Sequence, residues 1–543
     1  MKYLFTGLLL SSLLLFVNAK IKAQEPTKPR LIVGIVIDQM LPEYLYRYQN
    51  NFGNGGFRRL LNEGFECQNT HYNYVPTYTG PGHACVYTGT TPSVNGIVAN
   101  DWYNRKTKNT LYCTEDTSMQ TVGTKTEAGR MSPKNLLTTT ITDELRLFSN
   151  LTSKVIAVAL KDRGSILPAG HLGKAYWYDP ENGNFITSTH YATELPQWVS
   201  QFNKKQWVRQ LTQKNWDLLL SKKQYQSSLG DDNLYEGLFE GEKKPTFPHN
   251  LSKWSDAYAF SAIRATPFGN TLTKEFAIAA LKSNELGKNN ATDFLAISFS
   301  STDYVGHKYG TRALETEDTY IRLDRDIEEL LNELDLQVGK GNYLLFLTAD
   351  HGANEVPDFL NDNKVPAGLF DDKQFAKQLK SYLFQTYRDS LVENFINQQV
   401  YLDHNRIAQL KLNLNEVQQQ VVYFAQQHEN VVAAYTSTDL LGCASANYHK
   451  QLTQNGYYLQ RSGDVALIYP PAWMEYEHTG TSHGSSYSYD THVPLLWYGW
   501  RIQPGKSATR YHVTDIAPTI ATWLHTAFPN GCTGNPIVEI GVR

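Results

Sequence analysis

The chain has 543 residues with 50 Lys+Arg against 53 Asp+Glu, a formal net charge of -3. This length supports a large core and allows more than one domain. The near balance of charge excludes the electrostatic footprint expected for nucleic-acid binding or for docking on an acidic membrane. The N-terminus reads as a secretory signal over residues 1–19: Met1-Lys2 is basic, Leu4 to Val17 is almost wholly apolar, and Val17-Asn18-Ala19 offers a small-residue cleavage site. That run is shorter than the roughly 20 residues a bilayer span needs, and no later stretch is long enough. A periplasmic or secreted protein with no stable membrane anchor is expected, its residues 20–543 forming a single catalytic domain.

Leu31 to Ile37 is the first continuous apolar run, and it ends in Asp38. Runs of this kind suit strands buried on both faces. Thr79 follows in the turn Thr77-Tyr78-Thr79-Gly80-Pro81-Gly82-His83, where glycines offer backbone freedom and a helix N-terminus would turn amides toward an anion. Thr77, Thr88 and Ser93 are rival hydroxyls. Asn100 follows Gly96-Ile97-Val98-Ala99 and by itself reads as a turn residue.

Val155 to Leu160 is a second strand-like run, followed by Lys161-Asp162-Arg163. In an extended segment Lys161 and Arg163 would point to one side. Residues from 164 to about 270 are rich in Trp, Tyr, Lys, Gln and turn formers and fit the alternation poorly. They read as an insertion. Phe294 to Phe299 leads to Asp303 and His307, which share a face if that segment is helical. Glu317 to Leu336 carries apolar residues at helical spacing, and Tyr343 to Thr348 runs into Asp350-His351-Gly352. Residues from 356 to about 456 form a second expected insertion, with polar helical patterns such as Asn413 to Glu429. Val465 to Tyr469 and Pro494 to Tyr498 are further strand-like runs, and between them lies His483 among small residues. Alternating strands and helices predict an α/β fold with a mostly parallel central sheet flanked by helices.

Three strand-like runs thus deliver aspartates, as ligand-binding residues do in open α/β sheets. With three histidines and one hydroxyl they form the ligand inventory of a two-metal hydrolase. Asp and His suit zinc, and the need for neutral imidazole predicts that binding fails in acid. The five cysteines, Cys67, Cys85, Cys113, Cys443 and Cys532, contain no CxxC spacing. Export favours disulfides, with Cys67–Cys113 and Cys443–Cys532 as candidate pairs that spacing alone does not prove.

From about Leu31 to the C-terminus, these motifs resemble the alkaline phosphatase superfamily. The similarity is to its branch of nucleotide pyrophosphatase/phosphodiesterases and periplasmic, PafA-type phosphate monoesterases. The resemblance implies an alkaline-phosphatase-like sheet and two zinc ions per chain. One would be held by Asp38, Asp350 and His351 and would contact Thr79. The other would be held by Asp303, His307 and His483. It further implies attack by Thr79 to form a phosphothreonine, with Asn100, Lys161 and Arg163 binding the non-bridging oxygens. The Lys161/Arg163 element is similar to that of the monoesterases. Small phosphate monoesters of broad kind, a monomeric enzyme and an alkaline optimum are the resulting expectations, with a phosphodiesterase of the same fold as the alternative. Cys85-Val86-Tyr87-Thr88-Gly89 does not match the C/S-x-P-x-R motif of sulfatases.

Overall fold

A computed structural model of the protein describes residues 28–475 and 478–540. The proposed leader, residues 1–19, lies outside them. Eleven strands form the main sheet: β1 Leu31–Ile37, β2 Phe65–His71, β3 Thr121–Val122, β4 Val155–Ala159, β5 Lys174–Asp179, β6 Asn184–Ser188, β7 Asp293–Phe299, β8 Tyr343–Thr348, β9 His492–Val493, β10 Leu495–Gly499 and β11 Gly505–His512. Their order is β9-β2-β10-β8-β1-β7-β4-β5-β6-β3, with β11 paired to β2.

The pairs β8–β1, β1–β7, β7–β4 and β4–β5 are parallel, whereas β10 joins β8 antiparallel. Every residue of β1, β7 and β8 is buried, which explains their unbroken apolar runs. Register places Val36 beside Thr348, Ile37 beside Phe299 and Ala159 beside Ser298. The carboxyl ends of four parallel strands therefore open onto one edge, the usual place for a ligand site in such sheets.

Residues 164–270 do not all stand outside this core. Helix α1, Arg163–Ala169, and strands β5 and β6 belong to the sheet layer. Only after β6 does the chain leave it, through two short helices and a long loop centred on the buried Trp216. Residues 356–456 build a separate antiparallel sheet from Val392–Ile396, Gln399–Leu402 and Ala433–Thr436, with its own apolar core. The predicted strand Val465–Ile468 joins that small sheet and not the main one. This unit grips the core beside Asn100. Arg105 pairs with Asp464 at 2.9 Å, Asn397 donates to the Asp101 carbonyl at 2.7 Å, and Arg461 lies 4.8 Å from the Trp102 ring.

The candidate disulfides do not form. All five cysteines are free thiols, with Cys67, Cys85 and Cys113 buried. Burial pushes the Cys67 and Cys113 thiols up to about 12, so they pack as small apolar side chains. No helix among the described residues is long and apolar enough to cross a membrane.

Candidate metal and phosphoryl-transfer site

Thr79 opens helix α2, Thr79–Thr88, and is 1% exposed. The positive end of that helix lies at its hydroxyl. The neighbouring glycines have ordinary helical backbone, so conformational freedom is not their role. A Cβ on Gly82 would collide with the Asp350 carbonyl oxygen, so its bare Cα lets the helix lie against the end of β8. The rival hydroxyls are committed elsewhere: Thr77 to Ser485 O, Thr88 to Ala84 O and Ser93 to Thr91. Asn100 accepts from the Gly80 amide at 2.8 Å through Oδ1, which orients its NH2 group away from the backbone.

Asp38, Lys161, Asp303 and Asp350 come off the ends of β1, β4, β7 and β8. Lys161 Nζ lies 2.7 Å from Asp38 Oδ2, 2.6 Å from Asp303 Oδ2 and 3.4 Å from Thr79 Oγ1. The expected extended Lys-Asp-Arg segment is instead a tight entry into α1, with Asp162 in helical conformation. Asp162 accepts from Tyr112 and Thr114 at 2.8 and 2.9 Å, and Arg163 donates to Tyr112 at 2.8 Å. Lys161 thus reaches the carboxylates while Arg163 lies against Tyr112, in the antiparallel hairpin of Asp101–Asn104 and Asn109–Tyr112 that follows Asn100.

On helix α3, Ser301–Tyr309, His307 Nε2 is 3.1 Å from Asp303 Oδ1. Each of the three histidines engages a backbone carbonyl through Nδ1: His307 to Thr481 at 2.7 Å, His351 to Gly352 at 3.0 Å and His483 to Thr77 at 2.7 Å. Such bonds leave the Nε2 lone pairs for the carboxylate cluster. Among the described residues, two sets have donor atoms within 4.8 Å of one another: Asp38, Asp350 and His351, and Asp303, His351 and His483. His351 stands between them, and His307 joins the second through Asp303.

Asp38 Oδ1, Asp350 Oδ2 and His351 Nε2 are buried without a hydrogen-bond partner. Orphaned ligand atoms of both kinds at one point fit a divalent cation and are otherwise costly. Burial and then the Asp303 charge push Asp38 up to about 6. Burial, then Asp38, hold Asp350 well above the usual carboxylate range. At Asp303 burial is outweighed by His307 and Lys161, so its pKa lies well below that range. Burial lowers His483 to about 3, and burial with the neighbouring His483 lowers His351 well below the usual imidazole range. At Lys161 burial is overcome by Asp303 and Asp38, which keep it charged.

Two contributors have no readable signal in the sequence. Gln39, at φ 60°, donates from Nε2 to Asp303 at 2.8 Å and from its amide to Asp350 at 3.2 Å. His83 bridges Thr79 O and Ser298 Oγ, each at 2.9 Å, and backs helix α2 onto β7. His492 lies away from this cluster, stacked on His71 and bonded to Gln68 O.

Asp490 supports the loop behind His351: its carbonyl accepts from Gly352 at 2.8 Å and its Oδ2 from the Ser485 amide at 2.7 Å. Burial pushes it up to about 7, from 3.8. A raised carboxyl contributes stability in full below about pH 4, and that contribution is lost as pH rises through about 7. Asp490→Asn is therefore expected to raise stability by about 1–3 kcal/mol at pH ~8 and to make little difference near pH ~4. Urea unfolding at the two pH values checks this, and an equal effect at both would contradict it.

Residues 32–492 match the family described as Type I phosphodiesterase / nucleotide pyrophosphatase. The chain belongs to that family. It is 43% identical over 524 residues to alkaline phosphatase PafA of Elizabethkingia meningoseptica, covering 96% of each chain. It is 43% identical over 525 residues to alkaline phosphatase PhoV of Synechococcus elongatus, covering 96% of this chain and 95% of that one. A relative in Myroides odoratus, 44% identical over 530 residues and covering 96% of this chain and 97% of its own, carries the name calcium-transporting ATPase. The crystal structure of wild-type PafA superposes with a TM-score of 0.91 at 44% identity, over 95% of this chain and 99% of that one. The architecture is the alkaline phosphatase fold.

Proposed function

We propose that this protein is an exported, monomeric alkaline phosphatase that hydrolyses small phosphate monoesters of broad kind through a phosphothreonine on Thr79. The coarser conclusion, a phosphoric monoester hydrolase, rests on full-length similarity to PafA and PhoV. The finer reading is carried by one observation: the Lys161 ammonium lies 3.4 Å from the Thr79 hydroxyl, among three buried aspartates. Export is supported by the residue 1–19 pattern.

On this reading two zinc ions would be held, one by Asp38, Asp350 and His351, the other by Asp303, His307 and His483; two adjoining clusters of donor atoms, with His351 in reach of both, support it. When bound they would lower the pKa of the Thr79 hydroxyl and offset charge on the leaving oxygen. The Thr79 hydroxyl gives its proton to solvent and Oγ1 attacks phosphorus; the ester P–O bond breaks, and the leaving oxygen takes that electron pair and a proton from solvent to depart as the alcohol. Water then attacks the phosphothreonine from the opposite side, the P–Oγ1 bond breaks and phosphate departs. His83 and the Asn100–Gly80 bond hold the start of α2 in place. The Asn100 amide, Lys161 and Arg163 receive the non-bridging oxygens. Such a reaction asks mainly for positioning and charge stabilisation.

A monoester dianion has a third charged oxygen that a diester lacks, and on this reading Lys161 and Arg163 would meet it. Lys161→Ala combined with Arg163→Ala is expected to lower kcat/KM on an aryl phosphate monoester about 100-fold or more beyond its effect on the matching diester. Equal losses on both would overturn the monoester reading in favour of a phosphodiesterase.

A further inference from the structure

We propose that Tyr304, held in place by Arg264, is a positioning residue that keeps the Lys161 ammonium at Thr79 and so sets the preference for monoesters. The inference rests on Lys161 binding the third non-bridging oxygen. Tyr304 follows Asp303 on α3, and its ring centroid lies 5.1 Å from Lys161 Nζ. The Arg264 guanidinium lies 5.0 Å from the same ring and donates from Nη1 to the Tyr304 hydroxyl at 3.3 Å. Arg264 is itself tied down: Nε donates to Ser261 O and Nη2 to Ser261 Oγ, both at 2.9 Å. Arg264 lies at the return of the chain to the core, just before helix α4, Pro267–Ser283.

A lysine ammonium is a point charge on a flexible stem and needs its surroundings to fix it. Asp38 and Asp303 constrain Lys161 by charge, and the Tyr304 ring adds a face that attracts an ammonium. The Arg264 fork fixes the ring from its hydroxyl end. Without the ring, the ammonium keeps its charge but samples a wider arc. That loss falls on the substrate needing a cation at its third oxygen, and spares a diester, whose corresponding oxygen is esterified and uncharged.

The test uses the full-length, zinc-loaded enzyme and compares kcat/KM on an aryl phosphate monoester and the matching alkyl aryl diester. Tyr304→Leu is expected to lower the monoester value about 5- to 30-fold and the diester value by no more than about 2-fold. Tyr304→Phe, which keeps the ring, should retain most of the monoester preference. Arg264→Gln, at a half-buried rim position, should lower the monoester value alone by about 2- to 5-fold, which keeps the test open if Tyr304→Leu does not fold. Equal losses on both substrates for Tyr304→Leu and Arg264→Gln would overturn the proposal. So would intact monoester preference in both while Lys161→Ala loses it. If Lys161→Ala itself lowers both substrates equally, the monoester reading fails first and this inference with it.

Discussion

Thr79→Ala is expected to lower kcat on an aryl phosphate monoester by about 10^4- to 10^6-fold, while the protein keeps its fold and its metal. The side chain is small and 1% exposed, and among the described residues its hydroxyl meets Lys161 at 3.4 Å. Its position as first residue of α2 is held by backbone bonds, Gly82 N to Tyr78 O and His83 to Thr79 O, which alanine preserves. Thr79→Ser keeps the hydroxyl and should retain far more activity. Acid quenching during turnover should trap phosphate covalently on the parent and on Thr79→Ser, and not on Thr79→Ala. Comparable turnover by the alanine variant would eliminate Thr79 as nucleophile. Thr77, Thr88 and Ser93 would not replace it, because each is bonded elsewhere.

Removing the metal with a chelator is expected to abolish turnover and lower the unfolding midpoint, and Asp350→Asn is expected to reproduce both. The three aspartates are buried at one strand edge with Lys161 as their nearest cation, so their mutual repulsion is only partly offset. His351 and His483 are held neutral by burial, whereas at His307 burial is overcome by the Asp303 charge, which raises it, so His307 and the carboxylates together set the pH dependence of metal uptake. Asp38 is raised to about 6 from 3.8. In the metal-free protein its contribution to stability is therefore complete below about pH 4 and lost as pH rises through about 6. Zinc must displace that proton. Affinity should fall at least about tenfold per pH unit below pH ~6, since the raised Asp350 and His307 also give up protons to the metal, and metal-dependent stabilisation should grow across that window. Unfolding midpoints with and without zinc, together with bound-metal analysis, check this. The same stabilisation at pH ~5 and ~8, or full activity after chelation, would count against the centre.

The sequence by itself determined the sheet and its reactive edge. β1, β7 and β8 are buried on both faces, so each had to be a short unbroken apolar run, and a ligand at the end of such a run is encoded within a few residues. Asp303 and His307 were likewise readable as a pair, because helical spacing is local. The tertiary structure decided which hydroxyl lies beside Lys161 and the aspartates: Thr79 meets Lys161 across 82 positions and Thr77 bonds Ser485 O across 408, while Thr88 turns back to Ala84 O within its own helix. It also turned 161–163 into a helix entry, left the cysteines unpaired and assigned Val465–Ile468 to the smaller sheet. Gln39, His83, Tyr304 and Arg264 look like ordinary turn, helix and rim residues. Gln39 reaches Asp303 across 264 positions and His83 reaches Ser298 across 215. Local periodicity carries no information about contacts at that separation, because only the packed sheet brings their ends together.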